Sequence, residues 1–307
     1  FRMKHYDRNG IIYKAAYDRS GTDIYQRTHP AVTLDAAGET ALADTMERLS
    51  TVNPNGNCLM FAFITDLHQR TEGIPYADQG LCENIQSVQL LSKLCEQVNI
   101  SAVFCGGDLI NARSEDMDNL RENRQTVIDN FNAYLPDTNV FCTVGNHDKQ
   151  YSSDNELITN EEIHTVLSAL HSHTDKVKLR YIDETNFCVD FLEHKVRVVV
   201  MNYYDNMDDP IYVTHNTTNT GYWANGLNLD GYDASEWIVA VVYHGASFSG
   251  MHMYLEAYRN KTNYRKWVNT NTSAGKGYLG TIGGHFHQPA AYEDRCYVRQ
   301  PRNHYRW

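Results

Sequence analysis

The sequence has no apolar run near the roughly 18 residues that a membrane-crossing helix needs, so no spanning helix is expected. Positive charge is in short supply. Lys plus Arg number 27 against 38 Asp plus Glu, a formal net charge of -11. A carboxylate excess repels nucleic-acid phosphates, which disfavours a non-specific nucleic-acid binder. No C-x-x-C pair occurs among the seven Cys, so paired-cysteine motifs drop out of the reading. There is no internal repeat and no low-complexity segment, which excludes a repeat array. No signal-type apolar core follows Phe1, and the chain is expected to be a fragment or a processed product.

What is present describes an enzyme-sized globular chain. The 307 residues are 42% apolar and 21% charged, with 21 Tyr, 10 Phe and 4 Trp for packing. That length suits one large domain, or one domain with a small extension. Cys58, Cys105, Cys142 and Cys188 lie in apolar runs and read as buried thiols, which favours a reducing, cytoplasmic compartment. Four N-x-[ST] sequons, at Asn99, Asn216, Asn260 and Asn271, point the other way only if the chain meets a glycosylating pathway.

Residues 1–56 are polar and Tyr-rich, and read as a leader, lid or the end of an upstream domain; the main domain is expected over 57–307. Helical spacing is expected at 34–49, before the Asn53-Pro54-Asn55-Gly56 break. Apolar runs at 58–64, 100–105 and 139–144 alternate with helical stretches at 81–98 and 115–134. That alternation predicts a parallel sheet with right-handed crossovers. Runs at 187–191 and 195–201 predict a hairpin. A polar excursion over 204–235, a strand at 237–243, a helix at 251–268 and a last strand at 278–282 follow.

Each run predicted to be a buried strand of the α/β core ends in residues that can hold a metal ion. The ends read Thr65-Asp66-Leu67-His68, Gly106-Gly107-Asp108, Gly145-Asn146-His147-Asp148, Tyr243-His244-Gly245 and Gly284-His285-Phe286-His287. Ligands of open α/β sheets bind outside the carboxyl ends of strands, so these five ends are expected to converge on one crevice. Asp66 and His68 are two apart, as are His285 and His287, and on extended backbone such pairs point the same way. A mixture of imidazole, carboxylate and carboxamide oxygen suits Mn, Fe or Zn and suits Ca poorly.

In order and spacing these residues resemble the calcineurin-like metallophosphoesterase superfamily, whose pattern is D-x-H, G-D, G-N-H-[DE], H and G-H-x-H. The resemblance runs over about residues 57–290. It implies an α/β fold of two packed mixed β-sheets flanked by helices, and a two-metal phosphoesterase acting on phosphate esters. It further implies that Asp66, His68 and His287 hold one ion, that Asn146, His244 and His285 hold the other, and that Asp108 bridges both. His147 would protonate the leaving oxygen or stabilise developing charge, with Asp148 orienting it. Asn111 and Arg113 follow Asp108 closely and are candidate substrate contacts. The Gly107-Asp108-Leu109-Ile110-Asn111 stretch lacks the G-D-x-x-D-R-G motif of the phosphoprotein-phosphatase branch and looks more like phosphodiesterase branches. A nuclease-type phosphodiesterase and a non-catalytic scaffold on the same fold are the alternatives. Likeness to prophage tail-associated members leaves tail-associated or secreted placement open.

Other candidates read as ordinary structure. His171 and His173 follow a helix-like stretch and are expected on a solvated surface, and Asp205, Asp208 and Asp209 lack the spacing of a calcium loop. Tyr203, Tyr204, Tyr222 and Trp223 read as packing residues. Only twenty residues follow His287, rich in Arg, where the family resembled usually continues with strands completing the second sheet, so this end is expected either to be truncated or to pair unusually.

Overall fold

A computed structural model describes residues 36–70, 81–111, 115–149, 152–154, 156–171, 176–202, 232–233, 236–244, 278–284, 290–292 and 297–299. The first half alternates strand and helix: α1 (Ala36–Val52), β1 (Phe61–Ile64), α2 (Leu81–Gln97), β2 (Ala102–Cys105), α3 (Met117–Tyr134) and β3 (Val140–Cys142). The three strands form a parallel sheet in the order β1-β2-β3. The chain continues through α4 (Asn160–Leu167) into β4 (Val177–Tyr181), β5 (Phe187–Phe191), β6 (Val196–Met201), β7 (Ile238–Tyr243), β8 (Tyr278–Gly283), β9 (Ala290–Tyr292) and β10 (Tyr297–Arg299). These make a mixed sheet in the order β4-β5-β6-β7-β8-β10-β9.

Continuous apolar runs become strands because both faces of the first sheet are covered. On β2, Val103 and Cys105 join Val140, Cys142 and Ile64 against helix residues Leu120, Val127, Phe131 and Ile163. The alternate residues, Ala102 and Phe104, with Phe141, pack on Phe187, Val189, Phe191, Val198, Val200, Ala240 and Val242 of the second sheet. The result is a layered sandwich of helices on sheet on sheet. Each large side chain so buried contributes about 1.5–3 kcal/mol of transfer free energy.

Polar contacts fix the helix starts. The Asp116 carboxylate accepts from the Asn119 N–H at 2.8 Å ahead of α3, and Thr159 Oγ1 accepts from the Glu162 N–H at 3.1 Å ahead of α4. Such caps contribute about 1 kcal/mol each. On the far face of the second sheet, Arg197 on β6 donates twice to Asp190 on β5, at 2.6 and 2.7 Å, with both side chains buried. The Tyr232 ring covers the guanidinium at 5.6 Å and stacks on Trp237.

Two expectations change, those for Cys58 and His171. Cys58 is exposed, because β1 begins at Phe61 and leaves it in the preceding turn; Cys105, Cys142 and Cys188 are buried thiols. The edge strand β4 adds to the expected strands, and α4 falls in the helix-like stretch before His171. His171 is half-buried, packed on Phe141 and Phe187, with its Nδ1 2.6 Å from the Tyr181 hydroxyl. After His287 the chain continues the second sheet: β10 pairs parallel with β8, and β9 antiparallel with β10. The expected helix at 251–268, His173 and the polar excursion over 204–231 lie outside the described residues. No helix among the described residues is long and apolar enough to cross a membrane.

Candidate metal centre

The site grows from the carboxyl ends of β1, β2, β3 and β7. Beyond Ile64 and Cys105 the two chains run on side by side: Gly106 N donates to Ile64 O (2.8 Å), Asp66 N to Gly107 O (3.0 Å) and His68 N to Asp108 O (2.9 Å). Along this stretch Asp66 (φ 56°), His68 (φ 51°) and Asp108 (φ 52°) all adopt left-handed backbone. That region costs roughly 1–2 kcal/mol per non-glycine residue, and such strain concentrates at functional sites. Asp66 and His68 therefore do not converge by the alternation of an extended strand. They converge because the backbone reverses its hand at both. Gly107, at φ 92°, makes the turn into Asp108, and Gly145 lies so close to the Asp108 backbone that a side chain there would collide with it.

Asp108 is the hub. Its Oδ2 lies 3.1 Å from His244 Nε2 and 3.5 Å from His68 Nε2, while Oδ1 accepts from the His147 N–H at 2.7 Å. His68 Nε2 is 3.7 Å from Asp66 Oδ1, and His244 Nε2 is 3.1 Å from Asn146 Oδ1. Two groups of potential ligand atoms result, Asp66–Asp108–His244 and His68–Asp108–His147, and Asp108 belongs to both. All of these side chains are buried except His147, which is half-buried.

The electrostatics suit a cation. Burial alone would raise the Asp108 pKa, but the imidazoles of His244, His147 and His68 outweigh it and hold the carboxyl well below its usual range. Burial alone would lower the His244 pKa, yet the Asp108 carboxylate, helped by Asp66 and the Gly106 carbonyl, raises it to about 9. With Nδ1 2.6 Å from Gly106 O, His244 presents Nε2 to the carboxylate. Asp108 Oδ2 is buried, and the groups that face it are His244 Nε2 and His68 Nε2. A buried carboxylate oxygen facing imidazole nitrogens, with a carboxamide oxygen beside them, is a donor set that fits Mn, Fe or Zn.

Asp148 lies beneath the hub. Its carboxylate accepts from four backbone N–H groups: Asp108 (2.9 Å), Leu109 (2.8 Å), Ile110 (3.2 Å) and Gly145 (2.8 Å). Burial first, and then the neighbouring Asp108 charge, raise its pKa to about 6. This corrects the expectation that Asp148 orients the His147 ring: its oxygens bind two strand-end loops together. The group at His147 Nδ1 is Asn111 Oδ1, 3.2 Å away, so Asn111 is buried against the histidine. His147 also meets the His68 ring edge to face, with centroids 4.6 Å apart.

Asp66, His68, Asp108, Asn146, His147, Asp148 and His244 are thus brought together. His285, His287 and Arg113 lie outside the described residues. Sequence reasoning passed over a buried polar layer under the site. Arg124 donates to Asp148 O at 2.9 Å, Lys149 bonds Asn160 Oδ1, and Glu115 receives Asn123 Nδ2 at 2.5 Å and faces Arg70 Nε at 3.6 Å. Only the D-x-H-x-R spacing could have flagged Arg70.

The model of the calcineurin-like phosphoesterase family matches residues 59–289. Among solved structures the chain is similar to a dimetal phosphatase from Danio rerio (14% identity, 80% of this chain and 88% of that one, TM-score 0.49). It is similar to a phosphopantetheinyl hydrolase from Mycobacterium tuberculosis (11%, 81% and 92%, TM-score 0.40) and to a purple acid phosphatase from yellow lupin seeds (11%, 80% and 44%, TM-score 0.46). No curated protein matches. With its family profile spanning most of the chain, the protein belongs to the calcineurin-like phosphoesterases. It is a metal-dependent phosphoric ester hydrolase.

Proposed function

We propose that the chain hydrolyses phosphodiesters in preference to monoesters, at a centre of two cations drawn from Mn, Fe or Zn. The observation that carries this reading is the Asp108 carboxylate, common to the groups Asp66–Asp108–His244 and His68–Asp108–His147; the division of ligands between the ions is taken from the family pattern instead. Asp66, His68 and His287 would hold one ion and Asn146, His244 and His285 the other, with Asp108 between them. When bound, such a pair supplies Lewis acidity toward water and toward the phosphoryl oxygens. His147 stands at the half-buried rim and gives its proton to the leaving oxygen, while Asn111 fixes the tautomer and direction of its ring. Asp148 holds the Asp108 and Gly145 loops at one separation through its four backbone bonds.

The diester preference draws support from Gly107-Asp108-Leu109-Ile110-Asn111, which lacks the Asp-Arg pair of the phosphoprotein branch. The net charge of -11 counts against a nuclease. The test is hydrolysis of bis(p-nitrophenyl) phosphate and p-nitrophenyl phosphate with added Mn. A higher kcat/KM on the diester is expected. Turnover of the monoester alone overturns the preference, and turnover of neither overturns the two-metal reading.

A further inference from the structure

The residue just before the first candidate ligand is built into the site in a way the motif does not explain. Thr65 is buried, and its hydroxyl donates to Asp66 Oδ2 at 2.8 Å. The other Asp66 oxygen, Oδ1, is the one turned toward His68. The Thr65 hydroxyl occupies a slot left by two strand ends that lack side chains. A Cβ on Gly106 would lie 2.7 Å from Thr65 Oγ1, and one on Gly284 would overlap that oxygen and lie 2.5 Å from Asp66 Oδ2. Three chain segments, at the ends of β1, β2 and β8, therefore shape a space for one hydroxyl group.

Asp66 needs such a hold. Its φ of 56° is a strained conformation for an aspartate, tied at the backbone by the bond from its N–H to Gly107 O. A carboxylate can still rotate about its own χ angles there. A donor fixed at Oδ2 removes that freedom and leaves Oδ1 facing the other ligands. We propose that Thr65 is a positioning residue: its hydroxyl sets the Asp66 carboxylate in the orientation that accepts a divalent cation. The proposal rests on the reading of Asp66 as a metal ligand.

The experiment is calorimetric titration of the metal-stripped full chain with Mn2+ alone, for wild type, Thr65→Val, Thr65→Ala and Thr65→Ser. Groups that orient a ligand typically change metal affinity 10- to 100-fold when removed. Wild type is expected to take up two ions. Val and Ala, which both lack the hydroxyl but differ in bulk, should each weaken one binding step by roughly 10- to 100-fold and spare the other. Ser, which restores the hydroxyl without the methyl group, should retain the wild-type isotherm. Two results overturn the proposal while leaving the metal site intact: wild-type affinity in Val and Ala, or an equal loss in Ser, which would show that packing of the methyl group matters instead. A wild-type chain that binds no Mn2+ overturns the underlying reading of the site, and the proposal with it.

Discussion

At the scale of single residues, three side chains of the centre sit on left-handed backbone, at φ 51–56°. No residue type in Thr65-Asp66-Leu67-His68 announces this, because Asp and His, although enriched there among non-glycine residues, adopt that region at only a small share of positions. Of the motif residues, Asp66, His68, Asp108, Asn146, His147 and His244 gather among the described residues, but the motif did not show how the backbone delivers them. The same holds for His147. Its neighbour in sequence, Asp148, looked like its orienting partner, whereas Asn111, 36 residues earlier, stands at its Nδ1. This pairing makes a specific prediction. Removing a general acid hurts most when the leaving group is poor, so His147→Ala should lower kcat by about 10²–10⁴-fold on phenyl phosphate esters. The loss should be much smaller on p-nitrophenyl esters. Asn111→Ala should show the same leaving-group dependence in weaker form, measured as the slope of log kcat against leaving-group pKa. Equal losses on all leaving groups would assign both residues a merely structural part.

At the scale of elements, apolar runs were legible because burial on both faces leaves no room for polar alternation. β2 and β3 are buried along their whole length, and the second-sheet hairpin β5–β6 came out in the expected antiparallel pairing. The polar helix α3 was legible as a helix but not as a buried one. Asn123 and Arg124 are buried within it because Glu115 and the Asp148 carbonyl receive them, and those partners come from other segments. The Asp190–Arg197 pair was hidden for a similar reason, a charged pair inside two runs of Val, Cys and Phe. Truncating one partner of such a buried pair strands the other charge. Asp190→Ala should therefore destabilise the fold by about 3–5 kcal/mol, and Asp190→Leu with Arg197→Met should recover much of that loss. Urea unfolding followed by tryptophan fluorescence reads both; a double variant no more stable than the single would show that the pair itself, not the stranded charge, matters.

At the scale of the whole molecule, two sheets meet where their strands end, and the centre occupies the seam. His244 on the second sheet bonds Gly106 O on the first, and Thr143 at the end of β3 bonds Met201 O at the end of β6. The sandwich thereby holds candidate ligands from both sheets at one separation, as a centre drawing donors from several strand ends requires. Asp108 is proposed to join two cations. That bridge is tested most directly by electron paramagnetic resonance during Mn2+ titration of wild type and Asp108→Asn. The wild-type chain should bind two ions per chain and develop the signal of an exchange-coupled pair, and the variant should lose that coupling. A wild-type spectrum of isolated Mn2+ at every loading, or a coupled pair that survives in Asp108→Asn, would contradict the account.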